Sequence, residues 1–538
     1  MAVYIAFLAL TTFAWAGAVQ SSSDTGGRLQ ELSDSAAVQQ RQGDYKAAEL
    51  SYREILKLRP GLPEALSNLG LMLHLQGEFE AAIECFGIAL KARPGMLVPN
   101  LFSGTALTRL GRAREAIPFL RRAVAIAPND AQALYQLAQA FGSSGDFDRA
   151  KVSYAEALRI DAGNADAWFG LGISYLKLGQ LASERLAKLA GGKSYAHALL
   201  ADALIEQGQA ERAVQIYLQL RDAHAPLPCA QSGLGRAYLR LGKTAEATAA
   251  FSAQSDRSKH CPDGPLPQRS GKFLECARKL SDQIAQLNAS ELLNLASCAY
   301  YADRAEWTFS ATERLMKAKP NSPEMLYWRA EAAQKLALAA LSEAGRKAPD
   351  SHKMHLLLGD TYRAKNHAQE AIQEYRRALA LQPSDLGGHW GLARTYYQAL
   401  EYEDALAELR TVLHARPEDS EANYMAGRML VATRRMEEAE SYLKRAVVGT
   451  GAHVPHAHAL LSSVYAGRGE QAAAIAELKK SLEADEDGSY HLRIYMLYKQ
   501  SGDTAAASRA LAEAKALRTK QAAENEAPSA FDVKWPTP

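Results

Sequence analysis

Apolar and small residues recur along this chain at helical spacing. In residues 355–383, HLLLGDTYRAKNHAQEAIQEYRRALALQP, one stripe is Leu358, Gly359 and Tyr362, and a second is Ala371, Tyr375 and Ala378. Steps of three and four residues place each stripe on one face of a helix. Residues 66–94, LSNLGLMLHLQGEFEAAIECFGIALKARP, repeat the design. The spacing predicts two antiparallel helices per segment. Gly359 and Ala371 are small where the two helices cross, because a larger side chain would force them apart. Gly77, Gly111, Gly145 and Gly179 fall in the turns, where glycine adopts a positive φ at no steric cost. Prolines recur at one constant step at Pro60, Pro94 and Pro128, and at the same step again at Pro349, Pro383 and Pro417. Each stops a second helix from running on. One pair cannot bury its own apolar face, so neighbouring pairs have to stack.

Trp168, Leu171, Gly172, Tyr175 and Gly179 match the first half of a known two-helix repeat motif, and Gly70, Ala82, Phe86, Ala89 and Pro94 match the second. The proline step equals the length of that motif. On these residues the chain resembles the tetratricopeptide repeat family. The resemblance implies an all-α fold, an α-solenoid wound as a right-handed superhelix of about 13 or 14 helix pairs, over roughly residues 29–518. Pentatricopeptide repeats would be basic and bind RNA, and Sel1-like repeats have a different length.

The array has breaks. Residues 181–193, LASERLAKLAGGK, replace a normal second helix and turn, and the pair at 323–348 lacks its Gly turn. Residues 255–288 contain SDRSKHCPDGPLPQRSGK, whose prolines and glycines predict a loop. The expected organisation is therefore an N-terminal block at 29–254, an irregular linker at 255–288, a C-terminal block at 289–518 and a flexible tail at 519–538.

Val3 to Ala18 is apolar apart from Thr11 and Thr12, and Ala14, Ala16 and Ala18 offer A-x-A cleavage sites. The expectation is a signal peptide over residues 1–18, an exported protein that is periplasmic or extracellular, and no membrane span in the mature chain. No Lys or Arg precedes the apolar run, so retention as an anchor is the alternative. Lys plus Arg total 62 and Asp plus Glu 60. That balance lacks the basic excess that nucleic acid requires, so no nucleic-acid partner is expected. The five cysteines are Cys85, Cys229, Cys261, Cys276 and Cys298. None forms C-x-x-C. A Cys261–Cys276 disulfide is compatible with the spacing, and Cys85 reads as a plain buried thiol.

No nucleotide-binding, zinc-protease or serine-hydrolase motif occurs, so no catalytic residue, cofactor or metal is expected and the chain reads as a non-enzyme. His453, His456 and His458 come nearest to a metal site. His458, however, shares the family's Trp slot with His197, His355, His389 and His491, which points to packing. The acidic run Glu483 to Asp487 reads as a solvated turn.

Function then falls to the surface. The resemblance implies a scaffold that binds protein or peptide partners in a concave groove lined by first helices. The groove slots it assigns in the C-terminal block are Arg363, Trp390, Arg394, Tyr397, Tyr424 and Arg428. Such a mixture of aromatics and arginine favours binding hot spots and recognition of acidic groups. In the N-terminal block the same slots hold Leu71, Leu101, Tyr135 and Phe169. Ser67 and Leu71 stand where the family's carboxylate-clamp subtype needs Lys and Asn, so that subtype is not expected. The alternative reading is a subunit of a cell-envelope assembly, in polysaccharide export or outer-membrane biogenesis, or an accessory to an envelope enzyme. The repeats leave no room for a catalytic domain of about 100 residues.

Overall fold

The computed structural model describes residues 23–222, 230–253 and 270–526. The expected signal peptide at 1–18 lies outside the described residues. Among the described residues the chain forms 27 α-helices, one 3-10 turn and no strand. It is an all-α solenoid, and it divides into two compact units between Lys347 and Ala348.

The first unit opens with four regular pairs. These are α1 (Ser23–Arg41) with α2 (Tyr45–Leu58), α3 (Pro63–Leu75) with α4 (Phe79–Ala92), α5 (Leu97–Arg109) with α6 (Ala113–Ile126), and α7 (Ala131–Ser143) with α8 (Phe147–Ile160). Gly77, Gly111 and Gly145 sit in the turns with φ of 86°, 75° and 83°, as the spacing requires. Asp130 caps α7 by accepting hydrogen bonds from the Gln132 and Ala133 amides. Small residues carry the crossings: a Cβ on Gly70 would lie 2.6 Å from Phe86, and one on Gly104 2.3 Å from Leu120.

The pattern then changes. Helix α9 (Ala165–Lys188) runs unbroken for 24 residues, so Gly179 lies inside a helix and not in a turn. Residues 189–322 follow as α10 (Lys193–Glu206), α11 (Ala210–Asp222), α12 (Ala230–Arg240), α13 (Thr244–Ser252), α14 (Ser270–Ser281), α15 (Ala289–Tyr301) and α16 (Ala305–Ala318). They lead to a second long helix, α17 (Pro323–Lys347), of 25 residues. The two long helices pack on each other. A Cβ on Gly172 would meet Leu341 at 2.6 Å, and one on Gly179 would meet Ala333 at 3.2 Å. The two breaks in the sequence thus complete one another across the seven helices between them, each long helix supplying the partner the other lacks. For that reason residues 289–347, expected in the C-terminal block, belong to the first unit. Of the expected linker, residues 255–269 lie outside the described residues and the rest begins with α14.

The second unit returns to regular pairs: α18 (His352–Ala364) with α19 (Ala368–Leu381), α20 (Leu386–Gln398) with α21 (Tyr402–Ala415), α22 (Ser420–Ala432) with α23 (Met436–Ala446), α24 (His453–Gly467) with α25 (Gln471–Lys479), and α26 (Ser489–Ser501) with α27 (Thr504–Glu526). Its early turns dispense with glycine: Asn366, Leu400 and Arg434 hold φ of 59°, 63° and 62°. Helix α27 continues to Glu526, into the segment read as a tail, and residues 527–538 lie outside the described residues.

Candidate functional site

Of the six groove residues expected in the second unit, the structure separates one from the rest. Arg363 is buried. Its guanidinium lies 3.3 Å from the Asp360 carboxylate, and its Nε donates to the Tyr375 hydroxyl at 3.4 Å. Tyr375 in turn donates to Asp360 at 2.7 Å. Arg363 is therefore committed to its own helix pair. Arg394 is half-buried and makes no hydrogen bond or ion pair among the described residues. Burial, and then the neighbouring Arg363 charge, lower its pKa, while Glu421 and Asp360 act from a distance to raise it. Arg428 is exposed and lies over the Tyr397 ring, 5.1 Å from its centroid. Trp390, Tyr397 and Tyr424 are half-buried and pack against the core of the unit, so part of each ring stays at the surface. Arg394 and Arg428 hold the same slot one repeat apart; the acids Glu421 and Asp360 are near enough to act on the Arg394 charge without bonding to it.

The first unit uses its equivalent positions differently. Leu71, Leu101 and Tyr135 are 4%, 2% and 8% exposed, so they belong to the core and not to a groove lining. Phe169 is half-buried. Further along, Asp202 and Arg236 stand in the same slot one repeat apart, each directly after a small crossing residue, and here they pair. Arg236 donates to Asp202 Oδ1 at 2.5 Å, Tyr217 to the same oxygen at 2.6 Å, and Tyr327 to Asp202 Oδ2 at 2.8 Å. Tyr300 donates to Glu331, which follows the small residue Ala330. Burial raises the phenols of Tyr217, Tyr300 and Tyr327 well above their usual value, so they remain protonated donors. Sequence reasoning missed this cluster. The opposite charges that Asp202 and Arg236 place in one slot of successive repeats were the available signal.

The histidines are structural. His355, His389 and His458 each contact a glutamate 19 residues on, Glu374 at 2.7 Å, Glu408 at 2.5 Å and Glu477 at 2.6 Å. The same bond thus recurs between the two helices of three pairs. His453, His456 and His458 do not converge: the first meets Ser420, the second Tyr490 and the third Glu477. The Ser420–His453 contact is not a nucleophile poised by a base, because the Ser420 hydroxyl donates to the Ala446 carbonyl. In the acidic run Asp485 is buried and accepts from the His491 amide and ring, so that segment is more than a solvated turn. Cys276 is joined to Cys298, not to Cys261, and ties α14 to α15. Cys85 is free and half-buried. Among the described residues no helix is long and apolar enough to cross a membrane.

Three family models match the sequence. One described as "Tetratricopeptide repeat" covers residues 135–194, 198–258 and 391–455. A second with that description covers 32–162, and one described as "TPR repeat" covers 359–399. No curated relative matches the chain at a significant level. Among solved structures, "MamA 41-end from Desulfovibrio magneticus RS-1" is 24% identical over 28% of this chain and 85% of its own, with a TM-score of 0.27. A further MamA structure is 22% identical over 41% of this chain and 96% of its own, with a TM-score of 0.27. YrrB, titled "a TPR protein with an unusual peptide-binding site", is 23% identical over 29% of this chain and 84% of its own, with a TM-score of 0.26.

Proposed function

The chain belongs to the tetratricopeptide repeat family, and from that premise we propose that it is a non-catalytic scaffold that holds an acidic protein or peptide segment against Arg394 and Arg428. The observation that carries this reading is Arg394, a half-buried guanidinium with no ion pair among the described residues, with an exposed Arg428 in the same slot of the next repeat. A desolvated cation is stabilised by an incoming carboxylate, which it can grip bidentately. Trp390, Tyr397 and Tyr424 offer flat apolar area for the flanking side chains. Arg363 takes no part, because Asp360 and Tyr375 already hold it.

The test is fluorescence anisotropy with a library of Glu- and Asp-rich peptides that carry one aromatic residue. The expected result is salt-sensitive binding that Arg394→Gln or Arg428→Gln weakens by about 1.5–3 kcal/mol, the range for charged hydrogen bonds. Binding that is equally strong in both variants, or absent from the wild type, overturns the assignment.

Export is part of the same proposal. The apolar run from Val3 to Ala18 supports it, and so does the Cys276–Cys298 disulfide, since such bonds persist in oxidising compartments. An exported scaffold of this kind would serve as a subunit of a cell-envelope assembly.

A further inference from the structure

The cluster around Asp202 is built from the slot that Arg394 and Arg428 hold in the second unit. Asp202, Arg236 and Glu331 each follow a small crossing residue of their helices, Ala201, Gly235 and Ala330. Here they turn toward one another. Asp202 comes from α10, Tyr217 from α11, Arg236 from α12, Tyr300 and Tyr301 from α15, and Tyr327, Glu331 and Lys335 from α17. Segments far apart in sequence are thereby joined through buried polar side chains. Asp202 is 5% and Glu331 6% exposed.

The charges inside this cluster do not balance. Asp202 takes the Arg236 guanidinium and two phenolic hydrogen bonds. Among the described residues the Glu331 carboxyl has one hydrogen bond, from Tyr300. The remaining cation, Lys335, sits at the rim, 4.2 Å from the Tyr300 ring centroid, and is shared with Asp303 at 3.1 Å. Tyr301 and the other phenols carry no charge, because burial keeps them protonated. Two buried carboxylates therefore compete for Arg236, a largely but not wholly buried cation, and the closed cluster accommodates both only while one of them keeps its proton.

We propose that this cluster is an acid-stabilised clasp: it holds α10–α12 against α15 and α17 when Glu331 is protonated, and it loosens when Glu331 ionises. Opening uncovers Asp202 and Arg236 as a second row of first-helix side chains. Burial, followed by the charge of Asp202, raises the Glu331 carboxyl from 4.5 to about 7, against the weaker opposing effects of Tyr300, Arg236 and Lys335. In the open form Glu331 is solvated and titrates at about 4.3. Between about pH 4.3 and 7 the closed form therefore holds a proton that the open form releases. The clasp's stability is fully present below that window, falls as pH rises through it, and is level above it.

The test is amide hydrogen exchange on the full chain from about pH 5 to 8, with labelling times scaled for the intrinsic exchange rate. In peptides from 193–222, 230–240 and 289–347 the opening constant should rise by close to tenfold per pH unit up to about pH 7 and then level off. Peptides from α1 to α6 should not follow it. Glu331→Gln, which keeps the acceptor for Tyr300 but cannot ionise, should give a flat profile. Lys335→Met removes a cation that favours the ionised form, so it should move the upper end of the window to higher pH. This second variant decides the matter should Glu331→Gln fail to melt cooperatively. A flat wild-type profile, a Glu331→Gln profile that keeps the wild-type slope, or a Lys335→Met window that does not move overturns the proposal.

Discussion

Gly359 tests the close helix crossing in the second unit. A Cβ built on it lies 2.7 Å from Tyr375 Cε1, 2.8 Å from Cδ1 and 2.9 Å from Cζ. The ring cannot swing clear. Its hydroxyl is tied to Asp360 and Arg363, and a Cβ on Gly391 would meet the same ring at 2.3 Å. Tyr375 is thus clamped between α18 and α20. Overpacking of this kind costs about 1–3 kcal/mol. Replacing an interior helical glycine by alanine returns about 1 kcal/mol of helix propensity. Gly359→Ala should therefore destabilise by about 1 kcal/mol net, and Gly359→Leu by about 3 kcal/mol or more. The matched control is Gly87→Ala in α4, where a Cβ meets nothing within 4 Å; there only the propensity gain remains, and the change should stabilise by up to about 1 kcal/mol. Thermal unfolding measures the three variants. Limited proteolysis localises the loss, because repeats contact only their neighbours, and new cuts in Gly359→Leu should fall within residues 348–526. A Gly359→Ala protein that melts at or above the wild type, or new cuts confined to the first unit, would show that the crossing is not set where we place it.

Leu400 sits at φ 63° with 70% of its surface exposed, so it gains little from burial and bears the steric penalty of the left-handed region. Leu400→Gly should stabilise the second unit by about 1 kcal/mol, and a lower melting temperature would contradict the strain argument. For export, N-terminal sequencing of the chain recovered from the envelope fraction should find a first residue between Gly17 and Val19; an intact Met1 in a cytosolic fraction would count against it.

Helix period, turn glycines and capping prolines made the solenoid legible, because each is a local requirement that recurs with every repeat. Gly179 shows the limit of that reading. It occupies a turn position by spacing, yet α9 continues through it and Ala333 of a distant helix packs there. No local signal distinguishes a glycine that ends a helix from one that admits a neighbour. The disulfide escapes the sequence for a similar reason: Cys276 and Cys298 are joined because α14 and α15 are packed side by side, a tertiary fact that the short spacing to Cys261 cannot convey. The histidines were legible as packing residues from their shared slot, but their glutamate partners lie on the second helix and emerge only once the pair is folded.

One slot is used differently in the two units. The residue after the small crossing position is Asp202, Arg236 and Glu331 in the first unit, and Asp360, Arg394 and Arg428 in the second. At Asp202 and Arg236 opposite signs in consecutive repeats make an internal ion pair; at Asp360 and Arg394 they do not, because Asp360 is taken up by Arg363 and Tyr375. Where consecutive repeats place like signs, as at Arg394 and Arg428, stacking cannot satisfy either group. Arg428 can only lean on the Tyr397 ring, and Arg394 is left partly desolvated. A guanidinium is costly to hold in that state without an anion. The same slot therefore carries an internal ion pair in the first unit, whereas in the second its arginines make none, because the one acid there, Asp360, is held within its own helix pair.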